Sequence, residues 1–176
     1  MIAQALDTGL RGEMRAEEPL SRHTSWRVGG PARHFYRPAD SEDLVRFLAA
    51  LDPTEPLLWL GLGSNLLVRD SGFPGTVIAT DACLDRLEQV NATAFRAEAG
   101  VSCARVARTT VSAGLTGLEF FAGIPGTVGG ALAMNAGAWG GETWAQVEAV
   151  ETLDRLGVIR RRGPEDFSIG YRQVAG

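Results

Sequence analysis

The spacing of apolar residues predicts a strand, helix and strand arrangement in the first half of the chain. Asp40 is a candidate helix cap, and the positions after it recur at helical spacing as one buried stripe: Leu44, Val45, Phe47, Leu48 and Leu51. Asp52-Pro53 ends this helix. Short apolar runs predict strands at residues 32–37, 57–60, 66–68 and 77–79. The run 57–60 shows no polar alternation, which favours a strand that is covered on both faces.

A second pattern of short segments begins near Leu84. Residues 84–90 and 93–99 predict a β-hairpin, since the second run alternates apolar and polar positions. Ser102 is placed to cap a helix that continues through about residue 112. Residues 148–162 predict another hairpin around a glycine-containing turn.

These patterns predict how the chain is divided. Residues 1–20 mix acidic and basic side chains without a clean period, so we expect them to form an irregular N-terminal leader. The first folded unit is expected over residues 21–80 and the second over residues 81–176.

A glycine-rich loop follows directly after the apolar strand of the first unit. Its sequence is Gly61-Leu62-Gly63-Ser64-Asn65. The carboxyl end of such a strand is where open α/β sheets commonly bind ligands. The loop differs from the dinucleotide fingerprint of Rossmann folds, because that fingerprint opens a helix and this loop leads toward another strand. The sequence therefore argues against a conventional Rossmann domain.

The chain is organised around a second glycine-rich stretch. It reads Gly123-Ile124-Pro125-Gly126-Thr127-Val128-Gly129-Gly130-Ala131 and continues through Met134-Asn135-Ala136-Gly137-Ala138. Pro125-Gly126 marks a tight turn, and Thr127 can cap a short helix from Val128. Glycines let backbone N–H groups approach a ligand, and the start of a helix favours an anion. A glycine-punctuated turn packed against a neighbour explains the same spacing, so the spacing alone leaves both interpretations open.

Composition narrows the classes of function. With 176 residues, 45% hydrophobic and 22% charged, the chain suits one sizeable globular domain or two small ones. The net charge of −4 gives no support for nucleic-acid binding, and no apolar run is long enough to cross a membrane. No secretory signal is visible, and the two cysteines form no disulfide framework, so we expect a cytoplasmic setting. The 22 glycines are about twice the usual share and cluster in the two candidate ligand loops.

Most other candidate side chains favour structural roles. His23 and His34 lie in no serine or cysteine nucleophile motif and at no metal-ligand spacing, so we predict neither a hydrolase nor a metal site. The arginine run 160–162 is typical of a solvated strand face. Trp139 and Trp144 could stack on a ligand ring, form a loop lid or pack in the core.

Two loops rich in backbone donors and nearly free of charge suit a long ligand with a pyrophosphate in its middle. We expect its phosphates to take N–H groups from residues 61–65 and 126–130, with its aromatic ends in apolar slots. A dinucleotide such as FAD meets these requirements, although spacing alone does not distinguish FAD from NAD. Hydroxyl and amide contacts are expected from Ser64, Asn65, Thr127 and Asn135.

Four long motifs identify a resemblance to a known family. They are Thr24-Ser25-Trp26-Arg27-Val28-Gly29-Gly30, Gly61-Leu62-Gly63-Ser64-Asn65-Leu66-Leu67, Ala122-Gly123-Ile124-Pro125-Gly126-Thr127-Val128-Gly129-Gly130-Ala131 and Asn135-Ala136-Gly137-Ala138-Trp139-Gly140-Gly141-Glu142. In order and spacing the sequence resembles the MurB family of UDP-N-acetylenolpyruvoylglucosamine reductases, flavoenzymes of peptidoglycan precursor synthesis. The resemblance covers about residues 20–172 and is far more specific than one glycine pattern.

The resemblance implies a fold, a cofactor and a reaction. The fold is the vanillyl-alcohol-oxidase-like (PCMH-type) FAD-binding fold, of the α+β class, in which two subdomains hold the flavin between them. NADPH reduces non-covalently bound FAD, and the reduced flavin passes hydride to the enolpyruvyl double bond of UDP-N-acetylglucosamine enolpyruvate, which gives UDP-N-acetylmuramate for cell-wall biogenesis. The expected cofactor-contacting residues are Gly61, Leu62, Gly63, Ser64, Asn65, Leu66, Gly123, Ile124, Pro125, Gly126, Thr127, Val128, Gly129, Gly130, Asn135, Ala136, Gly137 and Ala138.

The family's Tyr-Arg motif falls on Tyr171-Arg172. The resemblance implies that Arg172 is catalytic and supports the substrate's carboxylate as enolate-like charge develops, a role that suits an always-charged donor fork. The family's proton-donating serine, its C-terminal glutamate and its substrate-binding domain lie beyond this motif, and the chain, which ends at Gly176, carries none of them. Ser168 and Glu165 precede the motif and are not assigned to those roles. We therefore expect a truncated, FAD-binding portion of the enzyme that does not turn over.

Two alternatives stay open. One is another FAD oxidoreductase of the same fold that acts on an alcohol or a hydroxy acid. The long motifs argue against it, and the absence of a histidine near the flavin loops argues against covalent flavin attachment. The other is a non-catalytic remnant that binds FAD or another nucleotide.

Overall fold

The structure, a computed structural model, describes residues 9–176. The chain divides into two compact units, one that runs up to Cys83 and includes Thr152–Arg160, and one that combines Leu84–Glu151 with Arg161–Gly176. The described helices are α1 (Ser41–Ala50), α2 (Cys103–Ser112) and α3 (Val128–Met134), with short 3-10 helices at Leu20–Arg22, Glu119–Gly123, Thr143–Gln146 and Pro164–Asp166. The described strands are β1 (Glu13–Pro19), β2 (Pro31–Arg37), β3 (Leu57–Leu60), β4 (Phe73–Ala79), β5 (Leu87–Gln89), β6 (Phe95–Ala97), β7 (Gly137–Ala138), β8 (Gly141–Glu142), β9 (Val150–Leu153), β10 (Ile159–Arg162), β11 (Ser168–Gly170) and β12 (Gln173–Ala175).

The first unit is built on a four-stranded sheet in the order β1-β2-β4-β3. β1 runs antiparallel to β2, whereas β4 runs parallel to both of its neighbours. Helix α1 makes the connection from β2 to β3, which a parallel arrangement requires. Asp40 caps α1 by accepting a hydrogen bond from the Asp43 N–H at 2.9 Å, as the sequence predicts. This topology leaves the carboxyl end of β3 at an edge of the sheet.

The core of the first unit includes a buried acid against an aromatic pair. The rings of Tyr36 and Phe47 stack with centroids 3.9 Å apart, and the Tyr36 hydroxyl donates to Asp43 Oδ2 at 2.5 Å. Asp43 also accepts from the Arg11 N–H at 2.7 Å and the Ala39 N–H at 2.9 Å. Burial pushes the pKa of Asp43 upward, but these hydrogen bonds together hold it below its ordinary value. The carboxylate therefore fixes α1 to β2.

Three expectations for the first unit differ from the structure. Of the predicted leader, residues 1–8 lie outside the described residues, and Glu13–Pro19 forms β1, which carries no apolar period because pairing with β2 holds it in place. Strand β3 lies at the sheet edge with Trp59 exposed, so the expectation of a strand covered on both faces is wrong. The predicted strand at 66–68 is irregular chain in the structure, although Val68 is buried there.

The second unit consists of short elements around one apolar cluster. Strands β5 and β6 pair as an antiparallel hairpin within the predicted range, and Ser102 caps α2 by accepting from the Arg105 N–H at 3.3 Å. Cys103 is fully buried, and burial raises the pKa of its thiol to about 11, which agrees with a small buried hydrophobe. The cluster consists of Val101, Cys103, Val106, Ala107, Phe120, Phe121, Ile124 and Ala131.

Residues 152–160 belong to the first unit although they come late in the chain. They include the turn between β9 and β10, which pair with each other. Arg155 Nη1 donates to the carbonyl oxygens of Pro53 at 3.0 Å and Glu55 at 2.8 Å. The division of the chain therefore differs from the predicted boundaries in this returning segment, because long-range contacts that no local pattern encodes decide where it packs.

Candidate cofactor-binding site

The first glycine-rich loop begins where β3 leaves the sheet. The ladder with β4 reaches the last residue of the strand, since the Thr80 N–H donates to Leu60 O at 2.8 Å. Within the described part of the chain, the N–H groups of Gly61, Leu62 and Ser64 make no hydrogen bond. Unpaired backbone donors grouped in one loop bind the oxygens of phosphates well. The structure thus leaves three N–H groups of the predicted loop without a partner in the described chain.

Gly63 fixes the shape of this loop. It has φ of +63°, and a Cβ added there would lie 2.0 Å from the carbonyl oxygen of His23 and 2.9 Å from Thr24 Cα. The Gly63 carbonyl in turn accepts from the Ser25 N–H at 3.1 Å. Only glycine fits both the left-handed backbone and this close approach. The loop is therefore pressed against residues 23–25, of which Thr24 and Ser25 belong to the first of the four long motifs.

The buried carboxylate of Glu18 holds the His23 side chain in place. Its Nε2 lies 2.8 Å from Glu18 Oε1, and its ring stacks on Phe35 with centroids 4.4 Å apart. Glu18 is 6% exposed and also accepts from Arg15 Nη1 at 3.1 Å. Burial pushes the pKa of Glu18 upward, but the hydrogen bonds from His23 and Arg15 hold it below its ordinary value. The structural role predicted for His23 is confirmed, while the part played by Glu18 has no signal in the sequence because it depends on the pairing of β1.

Most N–H groups of the second glycine-rich stretch are hydrogen-bonded within the protein. Thr127 caps α3 as predicted, and its carbonyl accepts the Ala131 N–H at 2.8 Å. The predicted donation of N–H groups from residues 126–130 to phosphates is therefore wrong for four of the five residues. Their N–H groups bond as follows: Gly126 to Ile124 O at 2.9 Å, Val128 to Val101 O at 2.8 Å, Gly129 to Ala99 O at 2.9 Å and Gly130 to Thr127 Oγ1 at 3.4 Å.

The glycines of this stretch serve close packing. A Cβ added at Gly129 would lie 3.0 Å from Ala99 Cβ, which is tighter than ordinary contact. A Cβ added at Gly123 would lie 2.7 Å from the Trp139 indole. Gly130 differs, because its added Cβ would meet only Thr127 Oγ1 at 3.7 Å and the residue is exposed. Of the two interpretations that the spacing left open, the packed turn describes residues 126–129.

Asn135 and the two tryptophans take different positions. Asn135 ends α3 in the left-handed conformation with φ of 42°, and its side chain is buried and hydrogen-bonded within the protein. Trp144 is a core residue whose Nε1 donates to Leu132 O at 2.8 Å. Trp139 is 80% exposed in the turn between β7 and β8, where its indole lies over Gly123. Core packing is thus the correct interpretation for Trp144 alone.

Arg172 lies in the turn between β11 and β12. Its φ is 53°, and both Arg172 and the preceding Tyr171 are exposed. This hairpin packs near the C-terminal end of α3, where Asn135 Nδ2 lies 3.5 Å from Gly170 O. The structure therefore brings the predicted catalytic arginine and residues 135–138 into the same unit.

Neither a metal-binding cluster nor a membrane-spanning helix is found among the described residues. No group of three or more His, Cys, Asp or Glu side chains stands close enough to hold a metal ion. None of the described helices has both the length and the apolar character needed to cross a bilayer.

Comparison with known proteins gives consistent matches. A sequence model described as FAD binding domain matches residues 32–163. Curated relatives named UDP-N-acetylenolpyruvoylglucosamine reductase include one from Alkalilimnicola ehrlichii, 62% identical over 165 residues, and one from Methylococcus capsulatus, 58% identical over 166 residues; in each case the match covers 94% of this chain and 55% of the relative. The crystal structure of UDP-N-acetylenolpyruvylglucosamine reductase (MurB) from Thermus caldophilus is similar, with a TM-score of 0.73 and 35% identity over 93% of this chain and 56% of that one.

These matches confirm the resemblance that the four motifs predict and the α+β FAD-binding fold. The chain spans about half the length of the curated relatives it matches. Since the FAD-binding match covers most of the chain, including the loop with unpaired N–H groups, the chain belongs to the family of FAD binding domains.

Proposed function

We propose that this chain is the FAD-binding portion of a UDP-N-acetylenolpyruvoylglucosamine reductase. The observation that carries the proposal is the set of unpaired N–H groups of Gly61, Leu62 and Ser64 at the carboxyl end of β3. A pyrophosphate carries several oxygens that need donors of this kind, and the loop supplies them without a charged side chain. The names of the curated relatives support the choice of reaction.

The first unit would bind the phosphates of FAD. The shape of the loop is already fixed by Gly63 against residues 23–25, so little ordering remains to be done when a ligand binds. We propose that the Ser64 hydroxyl, the Asn65 carboxamide and Leu66 add further contacts. Residues 61–66 therefore form the cofactor-binding set that we propose for this unit.

The second unit would contribute contacts of another kind. Because the N–H groups of Gly126, Val128 and Gly129 already bond inside the protein, we propose contact there by close backbone approach and by apolar surface. Gly130 is exposed, and a Cβ added there would meet only Thr127 Oγ1 at 3.7 Å, so we propose that a ligand approaches α3 at this position. The other proposed contact residues of this unit are Gly123, Ile124, Pro125, Thr127, Ala136, Gly137 and Ala138. Asn135 is not among them, because its side chain is bonded within the protein.

The chemistry follows from the cofactor and one side chain. Bound FAD supplies hydride transfer, with NADPH as the source of the hydride and the enolpyruvyl double bond of the UDP-sugar as its acceptor. The guanidinium of Arg172 would hold the carboxylate of the enolpyruvyl group, where its fixed positive fork stabilises the negative charge that develops. The two cysteines are free thiols, which suits the reducing cytoplasm in which we place this reaction.

Flavin binding and turnover test the proposal separately. The purified chain should acquire the absorbance of bound flavin when FAD is added, and titration should give a saturable dissociation constant. No binding at any FAD concentration would contradict the proposal. A second assay follows NADPH oxidation that depends on the enolpyruvyl UDP-sugar. If this chain alone turns over robustly, the expectation that it holds only part of the machinery is wrong.

A further inference from the structure

Asn135 has a buried side chain whose every hydrogen-bonding group is directed at the protein itself. The residue is 7% exposed and ends α3 with φ of 42°, a conformation that asparagine and glycine tolerate better than other residues. Its Oδ1 accepts the Trp144 N–H at 3.1 Å. Its Nδ2 donates to Glu142 Oε2 at 3.1 Å and lies 3.5 Å from Gly170 O. One carboxamide thus joins the end of α3, strand β8 and the hairpin of β11 and β12.

The same junction has an aromatic component. Trp144, whose N–H is held by Asn135, packs its ring against Phe167 with centroids 4.8 Å apart and an angle of 45°. The guanidinium of Arg162 lies 4.1 Å from the centroid of the Phe167 ring, and its Nη2 donates to Asp166 O at 2.9 Å. These contacts hold the chain that enters the β11–β12 hairpin. Asn135 and Phe167 therefore fix the hairpin at two separate points.

The hairpin that these contacts fix carries Arg172 at its turn. The two central turn residues, Tyr171 and Arg172, are exposed, and Gly170 pairs with Gln173 directly beneath them. The carbonyl of Gly170 that faces Asn135 is thus two residues from Arg172. A change in this contact moves the base of the turn, and the arginine at the turn moves with it.

We propose that Asn135 is a positioning residue for the Arg172 hairpin and that its side chain does not bind the cofactor. This proposal rests on the proposed function only in the role given to Arg172, and it replaces the cofactor contact that the sequence predicts for the Asn135 side chain. The carboxamide suits this position because it must accept from Trp144 and donate to both Glu142 and Gly170. An aspartate could accept from Trp144, but it would face the Glu142 carboxylate and would have no donor for Gly170.

The matched variants are Asn135→Gly, Asn135→Asp and the double variant Asn135→Asp/Glu142→Gln. Asn135→Gly keeps the left-handed backbone at no steric cost and removes only the side chain. Asn135→Asp places two carboxylates together at the junction. Adding Glu142→Gln returns one donor–acceptor pair, because the glutamine amide can donate to the new carboxylate.

Trypsin cleavage after Arg172 reports how firmly the hairpin is held, with cleavage after the exposed Arg27 in the first unit as internal reference. We expect Asn135→Gly to raise the rate after Arg172 about tenfold, Asn135→Asp to raise it further, and Glu142→Gln to reverse part of the increase caused by Asn135→Asp. Cleavage after Arg27 should stay the same. FAD affinity, measured by flavin fluorescence, should stay within about twofold in Asn135→Gly.

The outcomes separate this inference from the proposed function. An unchanged cleavage rate after Arg172 in Asn135→Gly would overturn the inference, and so would the absence of rescue in the double variant. A loss of FAD affinity without faster cleavage would make Asn135 a cofactor contact instead. If the unaltered chain binds no FAD, the proposed function fails, while the cleavage rates still decide whether Asn135 holds the hairpin.

Discussion

The two glycine-rich stretches look alike in sequence and differ in what their backbones do. In the loop at residues 61–65, the N–H groups of three residues make no hydrogen bond within the described chain. In the stretch at residues 126–130, four N–H groups are bonded to carbonyl or hydroxyl oxygens of the protein. The first loop thus offers donors to a ligand, whereas the second has used its donors to build the turn and the start of α3.

This difference shows that glycine content alone does not identify a phosphate site. Gly63 and Gly129 both lie close to a neighbouring backbone. Within the described chain, however, the N–H groups beside Gly63 are unpaired, whereas the Gly129 N–H bonds to Ala99 O. Whether such N–H groups are available to a phosphate depends on whether an acceptor from another segment lies opposite them. Residues 99–101 supply such acceptors to the second stretch.

The largest effect is expected from Gly63→Ala. The added methyl would meet the His23 carbonyl at 2.0 Å, and the residue would be held at φ of +63°. We expect a loss of about 2–4 kcal/mol in the free energy of unfolding and at least about tenfold weaker FAD binding, because the loop that carries the unpaired donors must shift. Urea unfolding and flavin titration measure the two effects.

Gly114→Ala is the matched control for that experiment. Gly114 has φ of +77°, but no atom lies within 4 Å of its added Cβ, so this variant carries the backbone strain without the clash. It should cost about 1 kcal/mol in unfolding free energy and leave FAD affinity unchanged. If Gly63→Ala binds FAD as tightly as Gly114→Ala, the first loop is not the phosphate site.

Gly129→Ala should lower the free energy of unfolding and have much less effect on FAD affinity. Its methyl would press on Ala99 at 3.0 Å, and the N–H of residue 129 already bonds to Ala99 O. We expect a loss of about 1–3 kcal/mol in unfolding free energy from overpacking, with FAD affinity of the folded protein lowered by less than about threefold. A large loss of FAD affinity at unchanged stability would restore the second stretch as a phosphate cradle.

Glu18→Gln tests the contact between Glu18 and His23, the residue on which the first loop packs. Replacing the buried carboxylate weakens its hydrogen bonds to His23 and Arg15, so we expect a loss of about 1–3 kcal/mol in unfolding free energy at pH 7. The pKa of Glu18 is lower in the folded than in the unfolded chain, so its stabilising contribution is complete above its ordinary value of 4.5. The difference between the two proteins should shrink as the pH falls through the lower pKa of the folded state.

Urea unfolding at a series of pH values measures this difference. Glu13→Gln is the control, because Glu13 also pairs with Arg15 but is exposed, and we expect little change in stability. A stability difference for Glu18→Gln that is the same at pH 3 and pH 7 would contradict the role of the carboxylate charge.

The smallest effect is expected from Gly130→Ala. The added Cβ has room, with only Thr127 Oγ1 at 3.7 Å, and alanine favours a helix over glycine by roughly 0.5–1 kcal/mol. Unfolding free energy should therefore rise slightly or stay the same. A selective loss of FAD affinity in this variant would show that a ligand comes close to the exposed Cα, as proposed for this position.

The sequence predicted the local elements well where a cap or a clear period was present. Helix α1 begins after Asp40 and helix α2 after Ser102, because a side chain that accepts an N–H group marks each start. Strand β1 was missed because its residues are mostly polar and its stability comes from pairing with β2. Pairing between distant segments produces no hydrophobic period in the local sequence, so the sequence does not predict it.

The sequence predicted only in part which N–H groups of the glycine-rich stretches are unpaired. In the loop that follows β3, the N–H groups of Gly61, Leu62 and Ser64 have no acceptor within the described chain. The acceptors for the N–H groups of Val128 and Gly129 come from residues 99–101, and no spacing within the glycine stretch predicts them. For the same reason the sequence assigned Asn135 to the cofactor, whereas its partners Glu142, Trp144 and Gly170 occupy its side chain.

The returning segment Thr152–Arg160 sets an order for folding. Arg155 bonds to carbonyls that lie 102 and 100 residues earlier in the chain, and both contacts are internal to the first unit. During synthesis the four-stranded sheet can assemble early, but these contacts must wait until the whole intervening segment has left the ribosome. Closing so long a loop is slow and entropically costly, so the Leu84–Glu151 part of the second unit has time to fold before the first unit is completed.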